Sequence, residues 1–254
     1  MLKEIILVTV LYVGFVFPSS GQTTTGFNCE GAEVYISTTA SLFSTCSDLY
    51  VKGSNLWNEG QFYAEGLELI ECEDAKLGSG TFSLHSDYSV DISGDFIQFG
   101  VFNLDLPDSK LSINSDCEIS DRLFLKSGLV SIEGGHSIFI SNTDEDAIIF
   151  NNSIDNDSYI SGSLKRKIAS NGTYYFPVGN ESSFHPFCLS DALSEDEISV
   201  IFDENVPFNW ESSNVNSTLK LEDVGGWIVS SDYAIENNFV PIVSKLDYSQ
   251  NLLS

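Results

Sequence analysis

Between Glu33 and about Ile160 the chain consists almost entirely of short runs that alternate apolar and polar residues, among them "AEVYIST", "GQFYAEGLELIE", "GTFSLHSDYSVDIS", "DFIQFGVFNLDL", "DRLFLKSGLVSIEGG" and "HSIFISN". A period of two puts every second side chain on the same face, the signature of a half-buried strand. Glycine, asparagine, aspartate and serine fill the gaps, and these are the residues that turns require. Pro107 is the one proline of the stretch, in keeping with stacked strands that need their amide hydrogens. No sustained helical period follows the opening residues, outside a short stretch around Asp191 to Asp196. Connections this short leave two architectures: a sandwich, or a β-solenoid whose successive rungs stack over one narrow core. The stretch "FNLDLPDSKLSINSDCEISDRLFLKSGLVSIEGGHSIFIS" reads as consecutive rungs, with Leu104, Leu111, Ile119, Leu123, Leu125, Leu129, Ile132, Ile138 and Ile140 facing inward. Its runs are too unequal for a strict repeat code. Neither a Thr-x-Thr ladder nor a Gly-Gly-x-Gly-x-Asp nonapeptide recurs, which sets aside ice-binding and calcium-repeat solenoids.

The texture changes after Ala169. Pro177, Pro186, Pro207 and Pro241 all fall here, and rings gather around Trp210 and Trp227, both expected in a core. This reads as a second all-β unit, a small β-sandwich over residues 171–254, with no closing strand recognisable before Ser254. Its first residues are "YYFPVG". Tyr174 and Phe176 alternate as strand residues, Tyr175 faces the other way, Pro177 ends the ladder and Gly179 begins a turn. Tyr174, Phe176, Pro177, Val178 and Gly179 are therefore expected to form the structural joint between the two units. The chain's only basic cluster, Lys165-Arg166-Lys167, lies just upstream and reads as strand-edge charge.

Residues 1–22 have the layout of a secretory signal: Lys3, an apolar run from Ile5 to Phe17, then Pro18 and small polar residues. That run is about 13 residues, against the roughly 20 that a spanning helix needs, so no membrane span is expected once the signal is cleaved near Gly21 or Gln22. The expected location is secreted or cell-surface. A lipid anchor is disfavoured, because Cys29 follows Phe27-Asn28 rather than a small aliphatic box. Export permits disulfides, and Cys29 with Cys46 is the pair closest in sequence, but five cysteines without a C-x-x-C pair leave at least one thiol free and exclude the usual zinc spacing. Eleven Lys plus Arg stand against 37 Asp plus Glu, a formal charge of -26. Such a surface repels phosphate backbones, so nucleic acid is not an expected partner.

Several segments, taken in order, resemble a pattern common in large surface proteins exported by the type IX secretion route of Bacteroidota. Phe102, Asn103 and Leu104 resemble its "F-x-N-L" rung without the intervening residue; Leu123, Leu125, Gly128 and Val130 to Ile132 match "L-x-L-x-x-G-x-I". Tyr159, Gly162, Leu164 and Arg166 match "Y-V-x-G-x-L-x-R", and Tyr174, Phe176, Pro177, Val178 and Gly179 match "Y-x-F-P-V-G", with Pro186 downstream. "LWNEGQF" at 56–62 resembles the early Trp-Asn-x-Gly rung, so the resemblance spans roughly residues 55 to 190. It implies an adhesin or surface-layer component with a β-helical stalk followed by sandwich modules. Such proteins commonly close on a sorting domain with Pro-Asn-Pro and a basic ending, and this sequence contains neither.

No catalytic constellation emerges. His85, His136 and His185 are isolated, with no metalloprotease spacing and no G-x-S-x-G elbow. Asn142, Asp144 and Asp146 have the 1-3-5 spacing of a calcium loop, but Ala147 stands where Gly is needed and Ser153 where Glu is needed, so this is a solvated turn with at most weak Ca2+ affinity. Asp155-Asn156-Asp157 reads the same way. Polysaccharide lyases use β-solenoids, yet they want cations for a uronate, and this acidic chain has few, with Arg122 and Arg166 its only arginines. Neutral glycans fit better, since sugar faces stack on exposed rings: Trp57, Tyr63 and Tyr88 are the candidates, with Trp210 and Tyr233 behind them. Five N-x-S/T sequons, at Asn151, Asn156, Asn171, Asn180 and Asn216, are expected by chance in a bacterial chain rich in Asn and Ser. The sequence thus predicts an all-β protein: a right-handed β-helix-like (β-solenoid) stalk over 23–170, then the small sandwich. The expected function is a non-enzymatic structural or adhesion protein of the bacterial surface without a cofactor, touching cell-surface components or neutral glycans. The alternative is a carbohydrate-binding or polysaccharide-active β-helix protein.

Overall fold

The computed structural model describes residues 26–30, 33–44, 48–52, 55–65, 68–70, 75–76, 78–150, 158–190, 192, 194–205 and 225–231. They form a β-solenoid. Three lines of parallel strands are traced in turn. The first runs through Gly26–Glu30, Asp48–Lys52 and Glu68–Ile70. The second pairs Glu33–Ile36 with Asn55–Asn58, and the third pairs Ser41–Ser44 with Gln61–Ala64 and then Thr81–His85. Strand character is continuous from Val90 to Ile132, and this stretch winds on through all three lines. Its residues pair in parallel with Ala75–Lys76 and Thr81–His85 behind, and with Ser137–Ile140, Ile148–Phe150 and Tyr159–Ser161 ahead.

The third line shows why these rungs stack in register. Phe62 pairs with Phe82 and Phe82 with Phe102, all three buried, with ring centroids 5.1 and 5.5 Å apart. Phe99 packs flat on Phe102 at 4.2 Å. Just before each of these phenylalanines stands a corner glycine, Gly60, Gly80 or Gly100. A Cβ on Gly80 would lie 2.5 Å from the Gly60 carbonyl oxygen, and one on Gly60 would lie 2.3 Å from that of Ala40, so no side chain fits on this corner line. Asn58, fully buried, holds the same corner: its amide nitrogen donates to the Thr81 carbonyl at 3.0 Å and its oxygen accepts from Gly60 N at 3.0 Å. A buried amide bonded at both ends carries little desolvation penalty.

Most inward candidates sit where the alternation puts them: Leu104, Leu111, Ile119, Leu123, Leu125, Ile138 and Ile140 are buried. Leu129 is not. The phase slips at Gly128, whose φ of +87° is left-handed, and the buried residue is Val130. Ile132 is partly buried against the core.

At its C-terminal end the stack changes sense. Ser163–Ile168 is parallel to Ser137–Ile140 on one side but antiparallel to Asp196–Asp203 on the other, and Gly226–Ser231 adds a further antiparallel strand. Val178–Asn180 pairs with Tyr159–Ser161 and turns back into Ser183–Phe184, while Tyr174–Phe176 pairs antiparallel with Phe187–Leu189. One hydrophobic core runs from Ile36 to Phe202 and includes Tyr174, Phe176, Val178, Phe187, Ile198 and Val200. In the described part of 171–254, expected as a small sandwich, Val178–Asn180, Ser183–Phe184, Asp196–Asp203 and Gly226–Ser231 extend the solenoid's own sheet, while Tyr174–Phe176 and Phe187–Leu189 form a two-stranded sheet on the shared core; residues 206–224 and 232–254 lie outside the described residues.

The "YYFPVG" segment alternates as expected, with Tyr174 and Phe176 buried and Tyr175 exposed. Pro177 separates the strand that pairs with Phe187–Leu189 from the one that pairs with Tyr159–Ser161, and its carbonyl accepts from Ile160 N at 2.9 Å. Two readings need correction. Gly179 lies inside a strand rather than at a turn: a Cβ there would meet the Ser183 carbonyl oxygen at 2.2 Å. The turn follows at Glu181–Ser182, where Asn180 Oδ1 accepts from the backbone nitrogens of Ser182 and Ser183 at 2.9 and 2.8 Å. Nor is Lys165-Arg166-Lys167 edge charge. Its strand is paired on both sides, and Arg166 is 0 % exposed.

Candidate functional site

In a rung, positions that alternate with the core residues face solvent, and the early rungs carry rings there. Leu56, Asn58, Gly60, Phe62 and Ala64 face in, so Trp57, Glu59, Gln61 and Tyr63 face out on the two strands that meet at the Glu59–Gly60 corner. Tyr35 pairs in register with Trp57, and Phe43 with Tyr63, from the preceding rung. Phe43 and Tyr63 stack at 4.7 Å and 4°. Phe43 nevertheless stays 67 % exposed, and Trp57 43 %. Between the two ring pairs, Glu59 accepts from the Tyr35 hydroxyl at 2.6 Å and from the Trp57 indole nitrogen at 3.3 Å. Gln61 Oε1 accepts from the Tyr63 hydroxyl at 2.7 Å. The hydrogen bond to Glu59 raises the Tyr35 pKa, because the hydroxyl that donates to a carboxylate resists deprotonation.

Trp57 and Tyr63, two of the expected stacking residues, thus flank one corner, each beside a ring of the preceding rung. Tyr88, the third, stands apart at another corner, 79 % exposed. Trp210 and Tyr233 lie outside the described residues. Tyr35 and Phe43 escaped the sequence reading because they belong to the preceding rung; a register that sets "VYIS" against "LWNE" and "LFS" against "FYA" would have found them.

Further along the stack, several outward polar residues pair across rungs. Asn103 donates to Ser83 at 3.1 Å, Gln98 to Glu118 at 3.3 Å, Ser141 to Glu118 at 2.6 Å, and Ser127 to Asp105 at 2.8 Å. His85 faces Asp105 and His136 faces Asp116, each at 3.5 Å. Isolated in sequence, these histidines sit beside acids of neighbouring rungs. The arrangement sets hydroxyls, amides and imidazoles beside carboxylates, and so avoids the like-charge stacking that register would otherwise impose on so acidic a chain.

The other groups with chemical potential are committed to architecture. Arg166 Nη1 donates to the Tyr175 carbonyl at 2.8 Å, and Nη2 to those of Asp144 and Glu145 at 3.0 and 3.3 Å. Its guanidinium lies 5.0 Å from the Tyr174 ring and 5.8 Å from that of Phe176. Burial lowers its pKa to about 10. Arg122 pairs with Asp146 at 3.3 Å. Within the expected calcium spacing, Asn142 donates to the Asp121 carbonyl at 2.9 Å and accepts from Asp144 N at 2.9 Å. Among the described residues no group of three or more His, Cys, Asp or Glu is placed to hold a metal ion. Ser183 Oγ lies 2.7 Å from His185 Nε2, but the same hydroxyl also reaches Asn180 Oδ1 at 2.9 Å within the hairpin turn, and the imidazole lies flat on Phe202 at 3.8 Å. That is a packed turn without a third group to orient the base.

Cys117 and Cys188 are free and buried, and burial pushes the Cys117 thiol up to about 12. Cys29 and Cys46, the expected pair, lie outside the described side chains. A shallow groove of about 250 Å³ lined by Phe124, Leu125, Lys126, Ile149 and Phe150 has no set of convergent polar groups. No helix among the described residues is long and apolar enough to cross a membrane. No protein-family model, curated protein or solved structure matches the chain.

Proposed function

We propose that this chain is an exported, non-enzymatic structural or adhesion protein of the bacterial cell surface, and that its solenoid serves as a rigid stalk presenting its outer face. The observation that carries the reading is the unbroken stack: rung hydrogen-bonds to rung, and one core continues from Ile36 to Phe202. Such a rod resists local opening because each rung's apolar face is covered by the next. The use of the arginines supports the non-enzymatic part. Arg166 is buried and bonded to backbone carbonyls, so it is not presented to an anionic substrate, and the half-exposed Arg122 is paired with Asp146. The layout of residues 1–22 and the resemblance to type IX secretion substrates supply the location. The second reading, carbohydrate binding, is favoured by one observation, the paired exposed rings of the early rungs.

Surface exposure is the direct test. In cells that make the full chain, protease added outside and a membrane-impermeant biotin reagent are expected to reach it, and its N-terminus is expected near Gly21 or Gln22. A chain retained in the cytoplasm with residues 1–22 intact would overturn the reading.

A further inference from the structure

We propose that the outward residues Trp57, Glu59, Gln61 and Tyr63, with Tyr35 and Phe43 of the preceding rung, form a binding site for a neutral polysaccharide. The inference rests on the stalk reading in one respect, that the outer face is the one presented. Three observations lead to it. First, the rings are local. Along the outer line of the third strand row the residues run Phe43, Tyr63, Ser83, Asn103, so the row turns polar after two rungs. On this line two exposed, stacked rings give way to Ser83 and Asn103, so the pair forms a local patch beside the Tyr35–Trp57 pair.

Second, the rings flank polar groups that are already held in place. Trp57 and Tyr63 stand on the strands Asn55–Asn58 and Gln61–Ala64, on either side of the corner at Glu59–Gly60, with Glu59 and Gln61 between them in sequence. Glu59 is fixed by Tyr35 and Trp57, and Gln61 by Tyr63. Planar acceptors and an amide donor beside ring faces match a pyranose, which offers a C–H face for stacking and a rim of hydroxyls for hydrogen bonds. Because these side chains are tied to one another before a ligand arrives, little rotamer freedom is lost on binding. Third, charge selects within the class. A chain of net charge -26 with a carboxylate between the ring pairs repels polyanions, which leaves uncharged glycans.

The test uses isolated full chain and tryptophan fluorescence, with cellohexaose, xylohexaose, laminarihexaose and mannohexaose as neutral probes, polygalacturonate as the anionic probe and choline as a cationic one. Saturable binding of at least one neutral oligosaccharide is expected, with no binding of polygalacturonate. Trp57→Ala and Tyr63→Ala are each expected to weaken it about tenfold or more, as loss of an aromatic anchor does, and calorimetric titration reads this in the variant that lacks Trp57. Tyr88→Ala is expected to leave it unchanged. All three side chains face solvent, so unchanged thermal melts serve as the folding control. Four neutral probes without saturable binding, equal affinities in wild type and a Trp57→Ala, Tyr63→Ala double variant, or saturable binding of choline alone would each overturn the site. Because the titration needs no cell, failed export and failed glycan binding are separate outcomes: the first sinks the surface reading, the second this site.

Discussion

Arg166 is the side chain whose removal tests the fold's logic most sharply. It is 0 % exposed in a chain with few cations, and its three carbonyl partners come from two segments, Asp144 and Glu145 at one corner and Tyr175 in the strand Tyr174–Phe176. Burial lowers its pKa from 12.5 to about 10, and at ~1.4 kcal/mol per tenfold the charged form is disfavoured by roughly 3 kcal/mol. Hydrogen bonds to a charged donor contribute about 1.5–3 kcal/mol each, so three of them outweigh that cost even though the buried Nε, without a partner, takes back about 1–3 kcal/mol. Arg166→Met keeps most of the stem but leaves the carbonyls unpaired, and a loss of about 3 kcal/mol is expected. Urea unfolding should show it as a lower midpoint at unchanged slope, and thermal unfolding as a drop of roughly 6–12 °C. Arg166→Lys should recover part of the loss, because one ammonium cannot serve carbonyls in both segments. Lys167→Met, at an exposed neighbour, should change stability by less than about 0.5 kcal/mol. A Met variant as stable as wild type would refute the reasoning: desolvation would then cancel the bonds, as it does in some buried ion pairs.

Phe82 touches Phe62, Phe99 and Phe102 at 5.1, 5.5 and 5.5 Å, and Phe82→Ala should destabilise by about 3–5 kcal/mol in urea unfolding; a loss under about 1 kcal/mol would mean that the ladder does not hold the rungs. Cys117, with its thiol pushed up to about 12, should resist a thiol reagent at neutral pH in the native protein and react once unfolded; fast native labelling would contradict its burial. Burial lowers the His185 pKa from 6.5, so the unfolded chain takes up the proton first as pH falls. The stabilising contribution is present above the unfolded value and is lost as pH falls through the folded one. Melting scans between about pH 7 and 5 should therefore show a steeper decline in wild type than in His185→Gln, and parallel declines would remove His185 from the account.

The strands were legible because alternation is a local signal: Leu104, Leu111, Ile119 and Leu123 needed only their neighbours to be assigned inward. Leu129 was misassigned because a left-handed Gly128 advances the phase by one residue, and composition alone does not show which glycine does this. Register was harder, since it is a relation between rungs. It lay in the recurrence of Gly60, Gly80 and Gly100 before Phe62, Phe82 and Phe102, a spacing that later rungs abandon: Leu123 pairs with Ile148 and Leu129 with Tyr159. Arg166 was misread for a related reason. Three consecutive basic residues look solvated, but strand alternation points the middle one the opposite way from its neighbours, into the core.

The two ends of the stack meet different physical demands. A row of parallel strands ends in unpaired donors and acceptors, a standing invitation to further pairing. At the C-terminal end the described residues meet that demand from within the chain, by reversing strand direction at Asp196–Asp203 and Gly226–Ser231 and by closing Tyr174–Phe176 over the core, tied to the last corner through Arg166. Those additions require long excursions, which is why the texture of the sequence changes after Ala169 although core and sheet do not. Rungs between the ends carry several polar pairs from rung to rung, whereas the early rungs stack rings outward where the core does not need them. The ring pairs Tyr35–Trp57 and Phe43–Tyr63 thus lie in other rungs than the Arg166 bonds, so Trp57 or Tyr63 can be altered without touching those bonds.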